Sequence, residues 1–189
     1  LRVGTRCIIP QNSNLSSTFL IFNGKGNCFA ENIDLFPGIH YNNERNTAER
    51  TKNMIFLHTS DWHLGATGGE RDLWDDQKYF IDAICGIVRE KRVDAVLLAG
   101  DVYDRSVPAA SAIGLYDYAM NRLCGELGVK VLTIAGNHDS AERLASCAGL
   151  LDKAGLYLQG AAQREPRVVE FADSQVFFLP WITEEKIKS

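Results

Sequence analysis

Several features that often reveal the class of a protein are missing from this chain of 189 residues. No apolar run approaches the roughly 18 residues that a membrane-spanning helix needs, and the early run FLIF is too short for a secretory signal. The five cysteines are scattered without a CxxC pair. This pattern argues against a structural zinc site and is typical of free thiols in a reducing compartment. We therefore expect a cytoplasmic protein that has no contact with a membrane.

The chain also lacks an excess of basic residues, since 20 Lys and Arg stand against 24 Asp and Glu, giving a formal net charge of -4. Residues 1–53 hold 6 basic and 4 acidic side chains, so the acidic excess lies in residues 54–189. Bulk charge of this sign does not indicate nucleic-acid binding. It does suit a site in which carboxylates surround cations.

The first 53 residues differ from the rest of the chain. They begin with Leu1, are rich in asparagine and show no sustained helical or strand periodicity, although TFLIF is compatible with a short strand. Met54 then opens a strongly apolar run. We predict two parts, an irregular extension over 1–53 and a domain over 54–189. Our hypothesis is that Met54 is the natural start and that 1–53 is upstream or non-native sequence; a genuine but irregular extension is the alternative.

From residue 54 onward, strand and helix patterns alternate. MIFLHTS, VDAVLLAG and VKVLTIAG read as strands, followed by shorter ones at LYLQG, RVVEF and QVFFLP. DDQKYFIDAICGIVREK reads as a helix, a second runs from Pro108 to about Leu127, and SAERLASCAGLLDKAG reads as a third. Ser140 is a plausible N-cap and Gly155 a plausible stop for that third helix. This alternation predicts an α/β layered domain with a largely parallel sheet.

Each of the first three strands ends in polar residues that would make a poor core. The ends read SDWH, GDVYD and GNHD. Because the carboxyl ends of parallel strands lie along one edge of a sheet, we expect these side chains to meet there. The candidate residues are Asp61, His63, Asp101, Asn137 and His138.

Oxygen donors mixed with imidazole suit manganese, iron or zinc better than calcium or magnesium. One carboxylate, such as Asp101, is able to bridge two cations, and a pair of cations clamps a phosphoryl centre. Taken singly, an Asp after a strand is more often a turn residue or helix cap. His58 lies within the first strand and is expected to be a packed structural histidine, and His40 receives no role. It is the joint pattern of the three strand ends that favours a site.

Residues 54–189 resemble the calcineurin-like metallophosphoesterase superfamily, and within it the branch of SbcD-type nucleases. The resemblance rests on IFLHTSDWHLG, VDAVLLAGDVYDRSVP, VLTIAGNHDSAERL and, more loosely, FFLPWITEEKI. It implies the first half of a sandwich of α-β-β-α layers. It also implies a metal-dependent DNA phosphodiesterase, an exonuclease and endonuclease that acts on DNA ends and hairpins in repair and recombination. Its partners would be DNA and an ATPase with long coiled coils.

Carried over by position, the resemblance implies two divalent cations, with manganese as the metal. Asp61 and His63 would bind the first cation, Asp101 would bridge both, and Asn137 would bind the second. His138 would face the scissile phosphate. Asp104 and Asp139 would support the imidazole and the metal ligands. Arg105 and Arg143 are candidates for phosphate contacts, with ordinary surface arginines as the alternative.

Members of this superfamily carry further histidine ligands in the second half of the domain, whereas the last of the four histidines here is His138. We therefore expect the second cation site to be incomplete and an apolar sheet face to be uncovered. Two other functions stay open: a small-substrate phosphatase or nucleotide phosphodiesterase of the same superfamily, and an inactive fragment. A homodimer through Tyr79, Phe80 and Ile87 is possible, with core positions as the alternative.

Overall fold

The fold is described from a computed structural model of the chain. The described residues are 19–23, 28–31, 54–68, 71–172 and 174–183; for 19–23, 28–31 and 71–72 only the backbone is considered.

A six-stranded sheet forms the centre of the described region, in the order β2-β1-β3-β6-β7-β8. Its strands are β1 (Phe19–Asn23), β2 (Cys28–Glu31), β3 (Ile55–Thr59), β6 (Ala95–Ala99), β7 (Lys130–Ile134) and β8 (Leu156–Gln159). Strands β3, β6, β7 and β8 run parallel to one another, while β1 is antiparallel to both β2 and β3. Two short hairpins accompany the sheet: β4 (Thr67–Gly68) with β5 (Arg71–Asp72), and β9 (Val168–Glu170) with β10 (Gln175–Phe177). The predicted α/β fold with a largely parallel sheet is confirmed.

Helix α1 (Trp74–Lys91) forms where the sequence predicts it, because its apolar residues recur at helical spacing. Ile81, Ile84, Cys85 and Val88 are buried along one stripe. The helix has acidic residues in its first turn and basic residues in its last turn, which suits the helix dipole. It ends at Arg92, whose left-handed backbone (φ 53°) cannot continue a right-handed helix.

The other two predicted helices differ in detail. Helix α2 (Ala110–Met120) continues as a π-helical segment, Asn121–Glu126, so the predicted end near Leu127 holds but the geometry changes. The prediction of one helix over SAERLASCAGLLDKAG is wrong. The structure has α3 (Ala141–Leu144), α4 (Ala148–Leu151) and a 3₁₀ turn, Asp152–Ala154.

The break between α3 and α4 has a local cause. Cys147 adopts a left-handed conformation (φ 59°), which interrupts right-handed helical geometry. The predicted ends of the segment are confirmed. The Ser140 hydroxyl accepts the Arg143 backbone N–H at 3.4 Å, and Gly155 (φ 84°) follows the 3₁₀ turn.

The two faces of the sheet carry separate apolar clusters. Leu57 of β3 packs with α1 and α2 in the larger cluster, whereas its neighbour Phe56 belongs to a smaller cluster on the opposite face. Val169 of the β9–β10 hairpin and Phe178, which directly follows the hairpin, cover part of this second face. Phe56 and Phe171 meet edge to face, with ring centroids 5.2 Å apart. The second face is therefore partly covered, which corrects the expectation that it would be bare.

The predicted short strand TFLIF corresponds to β1, which joins the sheet at β3. Strand β2, which pairs with β1 within the segment expected to be irregular, is not predicted by the sequence pattern. The rest of 1–53 lies outside the described residues. None of the described helices combines the length and the apolar character needed to cross a bilayer.

Candidate metal centre

The loops after β3 and β6 meet along the carboxyl edge of the sheet. Backbone hydrogen bonds continue the strand pairing into these loops. The Asp61 N–H donates to the Gly100 carbonyl at 3.1 Å, and the His63 N–H donates to the Asp101 carbonyl at 3.0 Å. The Leu64 N–H donates to the Val102 carbonyl at 2.9 Å. Two segments about 40 positions apart in sequence are thereby held side by side.

Three polar residues at this edge have left-handed backbones: Asp61 (φ 57°), His63 (φ 42°) and Asp101 (φ 49°). Such conformations are unfavourable for residues with a side chain and persist only where the surroundings enforce them. Here the cross-loop hydrogen bonds provide that constraint. Unfavourable backbone conformations are therefore found at the residues that are predicted to bind the cation.

Glycine is required where the GDVYD and GNHD loops touch. A Cβ atom added to Gly136 would lie 2.1 Å from Asp101 Oδ1 and 2.3 Å from its backbone nitrogen. Gly100 has a φ of 88°, and a Cβ atom there would lie 2.9 Å from Gly136 Cα. A side chain at Gly136 would therefore displace Asp101, and one at Gly100 would force the two loops apart.

Asp61, His63 and Asp101 form a group that could hold a metal ion. One potential ligand atom from each lies within 4.8 Å of the others. His63 Nε2 is 3.9 Å from Asp61 Oδ1, and the Ser60 hydroxyl donates to the other Asp61 carboxylate oxygen. Two carboxylates and an imidazole on a partly exposed edge fit a divalent transition-metal ion and leave coordination positions open. The residues present are therefore suited to the cation that the sequence predicts.

A second group shares His63 with the first. His63, Asp104 and His138 also have potential ligand atoms within 4.8 Å of one another. His63 Nδ1 is 3.7 Å from Asp104 Oδ1, so the two nitrogens of this ring face different carboxylates. Sequence reasoning gave Asp104 only a supporting position and did not anticipate this grouping. The Asp104 side chain lies directly beside His63, the predicted ligand.

His138 is exposed and is held in a defined orientation. Its ring stands perpendicular to that of His63, with centroids 4.8 Å apart. Its Nδ1 lies 2.9 Å from the Asp104 carbonyl oxygen, so this nitrogen carries a proton and donates it to the carbonyl. The other ring nitrogen, Nε2, is left for contacts outside the loop. The same hydrogen bond, with the nearby carboxylates of Asp101, Asp104 and Asp139, raises the pKa of His138.

Asp139 connects two of the loops. One carboxylate oxygen accepts the N–H groups of Gly136 at 2.9 Å and Val102 at 3.1 Å, and the other accepts the Tyr103 N–H at 2.9 Å. The His138 N–H in turn donates to Asp101 Oδ1 at 3.0 Å. The GDVYD and GNHD loops are therefore fastened together by carboxylates that accept backbone N–H groups.

The remaining candidates lie around this centre. Asn137 is exposed and lines a cavity with Gly136 and Asp139. Arg105 is exposed, with Nε 3.4 Å from Asp104 Oδ2, and the Arg143 guanidinium donates to the Ser106 carbonyl at 2.9 Å. Both arginines therefore lie beside the loops on the solvent side, and their contact with phosphate stays a prediction.

Sequence reasoning missed Gln77. Its side-chain oxygen accepts the Gly65 N–H at 3.0 Å, and its side-chain nitrogen donates to the His63 carbonyl at 2.9 Å. The first turns of α1 therefore hold the loop that carries His63. A glutamine within a helix gives no local signal of such a contact. Trp62 also anchors this loop, because it is buried and its Nε1 donates to Thr59 Oγ1 at 2.9 Å.

The structure also places the residues that were predicted to lie outside the site. His58 is partly buried in β3, and burial lowers its pKa, in keeping with a structural histidine. Phe80 and Ile87 pack against the main core, whereas Tyr79 is exposed, so the core alternative is wrong for Tyr79 alone. The three cysteines with described side chains, Cys85, Cys124 and Cys147, are free, as predicted.

Comparisons with known proteins relate the chain to a family and to curated proteins. Residues 54–185 match the family model described as calcineurin-like phosphoesterase. The chain is also similar to the SbcD component of the nuclease SbcCD from Staphylococcus epidermidis (strain ATCC 12228 / FDA PCI 1200), with 32% identity over 136 residues. That alignment covers 72% of this chain and 36% of the relative. The chain therefore spans about a third of the length of this curated relative.

Proposed function

Because the chain belongs to the calcineurin-like phosphoesterase family, we propose that it carries the metal-binding edge of a phosphodiesterase that cleaves DNA. The observation that carries this proposal is the convergence of Asp61, His63 and Asp101 at one edge of the sheet, with His138 beside them. Three of these residues have unfavourable left-handed backbones, and strain of this kind is typical of functional sites.

We assign Asp61, His63 and Asp101 as ligands of a first divalent cation, and Asp101 with Asn137 as the available ligands of a second. When bound, such cations lower the pKa of a coordinated water and offset the charge that develops on the phosphate. The mixture of carboxylate and imidazole ligands is compatible with manganese. The second site has fewer ligands within this chain, so it should bind its cation more weakly.

The chain's own residues supply orientation and a proton. In the doubly protonated form of His138, Nδ1–H donates to the Asp104 carbonyl and Nε2–H is the proton offered to the substrate phosphate or the leaving oxygen. The Asp104 carboxylate faces Nδ1 of His63 and orients that imidazole for the cation. Asp139 keeps the two loops in register through three backbone N–H groups.

DNA is proposed as the substrate on the basis of the similarity to the SbcD component of the SbcCD nuclease. The resemblance of the SDWHLG and DVYDRSVP stretches to SbcD-type nucleases supports the same assignment. It further suggests an SbcC-type coiled-coil ATPase as partner, action on DNA ends and hairpins, and a cytoplasmic location. Because the chain spans only part of its relative, these properties of the whole protein belong to the proposal.

The test is a comparison of substrates with the purified chain and Mn²⁺. Cleavage of a DNA hairpin and a linear duplex is measured beside hydrolysis of bis(p-nitrophenyl) phosphate. We expect Mn²⁺-dependent DNA cleavage that disappears in His63→Ala and persists in Asp117→Asn, an exposed carboxylate on α2 away from the site. Hydrolysis of the aryl diester alone would favour a small-substrate phosphodiesterase. Mn²⁺ binding without any cleavage would favour an inactive fragment.

A further inference from the structure

We propose that a cavity next to the GNHD loop is a nucleobase subsite, in which the indole ring of Trp181 stacks on the base adjoining the cleaved phosphate. The inference rests on the proposed function and adds a residue and a ligand class to it. The cavity has a volume of about 420 Å³. Its lining includes Asn137, Asp139, Glu142, Arg143 and Trp181.

The cavity adjoins the loop that carries His138. Asn137 and Asp139, which flank His138 in the sequence, both line it. Asp139 is also the residue that fastens the two loops through Gly136, Val102 and Tyr103, so this wall of the cavity is fixed. A phosphodiester facing His138 would place one of its two nucleosides on this side of the loop.

Trp181 is positioned by the backbone and yet exposed. Its backbone N–H donates at 3.0 Å to the carbonyl of Ala135, the residue directly after β7. The preceding Pro180 is buried. The Trp181 side chain nevertheless has 60% of its surface exposed, whereas Trp62 is 5% exposed. A large aromatic side chain fixed beside a polar cavity is suited to stacking, because every base presents an aromatic face.

The charges around the cavity favour a base over a phosphate in its interior. The charged residues that line it are Asp139, Glu142 and Arg143, so carboxylates outnumber cations and the net charge disfavours a phosphate. A neutral base is not subject to that repulsion. The Arg143 guanidinium donates to the Ser106 carbonyl at 2.9 Å and is exposed, so it lies where a neighbouring phosphate would run.

The experiment measures binding of a 5′-labelled pentathymidylate by fluorescence anisotropy, in the His138→Ala background with Mn²⁺ so that cleavage does not interfere. We expect Trp181→Leu to weaken binding about 5- to 150-fold, the usual range for one base stacked on an aromatic ring. Trp181→Phe should retain most of the affinity because it keeps an aromatic face. Tyr79→Leu, an exposed aromatic on α1 away from this cavity, is the matched control and should bind as the parent does.

A second probe isolates the base. An oligonucleotide of the same length and charge that consists of abasic sites should bind more weakly to the parent chain, and equally to the parent and to Trp181→Leu. Quenching of tryptophan fluorescence by pentathymidylate should be lost in Trp181→Leu. The inference is overturned if Trp181→Leu binds pentathymidylate within twofold of the parent, or if the abasic oligonucleotide binds as well as the one with bases.

Failure of this inference and failure of the proposed function give different results. Mn²⁺-dependent DNA cleavage by the unaltered chain, together with binding that does not depend on Trp181, refutes the base subsite alone. Trp181-dependent binding without any Mn²⁺-dependent cleavage supports the subsite and refutes the proposed function. Equal binding by all variants, with cleavage only of the aryl diester, refutes both.

Discussion

The carboxyl edge of the sheet differs in physical character from the core directly beneath it. In the core, Leu57, Val96 and Val131 occupy consecutive parallel strands and are fully buried against α1 and α2. At the edge, β3 and β6 lead into residues with left-handed backbones, fixed by hydrogen bonds between loops. Burial of apolar surface stabilises the fold in the core. At the edge, strained backbone conformations position the potential ligands. Substitutions in the two regions should therefore have separable effects.

The largest effect on stability is expected in the core. Leu57→Ala should lower the free energy of unfolding by about 2–5 kcal/mol, because it removes a fully buried side chain and leaves a cavity. Urea denaturation measures the change, and calorimetry at a temperature where the variant is folded measures Mn²⁺ affinity. Leu57→Met, which nearly conserves volume, should cost less than about 1.5 kcal/mol. Loss of Mn²⁺ affinity from a fully folded Leu57→Ala protein would contradict the expectation that core and edge substitutions have separable effects.

Among residues that are not assigned as cation ligands, Asp139 is expected to have the largest effect on Mn²⁺ affinity. In Asp139→Ala, the N–H groups of Val102, Tyr103 and Gly136 lose their acceptor, so the two loops lose register. Mn²⁺ affinity should fall about 10- to 100-fold, as is usual for residues that orient ligands, and stability should fall by about 1–3 kcal/mol. Asp139→Asn keeps one acceptor oxygen and should lose less. Unchanged Mn²⁺ affinity in Asp139→Ala would show that the loops do not need this fastening.

A smaller effect is expected at Gln77, which connects α1 to the edge. Gln77→Ala removes the contacts to the Gly65 N–H and the His63 carbonyl, so Mn²⁺ affinity should fall about tenfold, the lower end for orienting residues. Gln77→Glu keeps the acceptor but cannot donate to the carbonyl, and should give an intermediate affinity. Both are measured by isothermal titration. If stability falls while affinity is unaffected, Gln77 has only a structural role.

The smallest effect is a dependence of stability on pH through His58, which lies in the core region. Burial lowers its pKa below the usual 6.5, so the folded chain binds fewer protons than the unfolded chain. This residue therefore favours the folded state above about pH 6.5, and the contribution is lost as the pH falls through the folded-state pKa. Urea denaturation at pH 7.5 and 5.5 should show a smaller loss of stability in His58→Gln than in the parent. Identical losses would show that His58 is not responsible.

Much of the site could be predicted because strand ends are a local property of the sequence. Apolar runs that stop at Asp61, Asp101 and Asn137 indicate where three strands end, and parallel pairing brings those ends to one edge. The contacts that orient the site could not be predicted in the same way. Gln77 acts across 12 and 14 positions of the chain, and the side chain of Asp104 is placed by the geometry of its loop.

Departures from the predicted elements also have physical reasons. The third helix looks continuous by periodicity, yet a left-handed Cys147 divides it, and no residue preference for that conformation marks the position. Trp181 directly follows the strand predicted at QVFFLP, and its exposure is not predicted from the sequence. Its exposure depends on where the loop after Phe178 turns toward Ala135, which is a tertiary property.

The central claim is that Asp61, His63 and Asp101 together bind a divalent cation at the sheet edge. The most direct test is calorimetric titration of Mn²⁺ into the purified chain and into Asp101→Asn, with Asp117→Asn as the control for loss of one carboxylate. The account predicts a saturable site that is retained in Asp117→Asn and weakened more than about a hundredfold in Asp101→Asn, beyond the range for residues that only orient ligands. Equal Mn²⁺ affinity and stoichiometry in the parent and Asp101→Asn would contradict it.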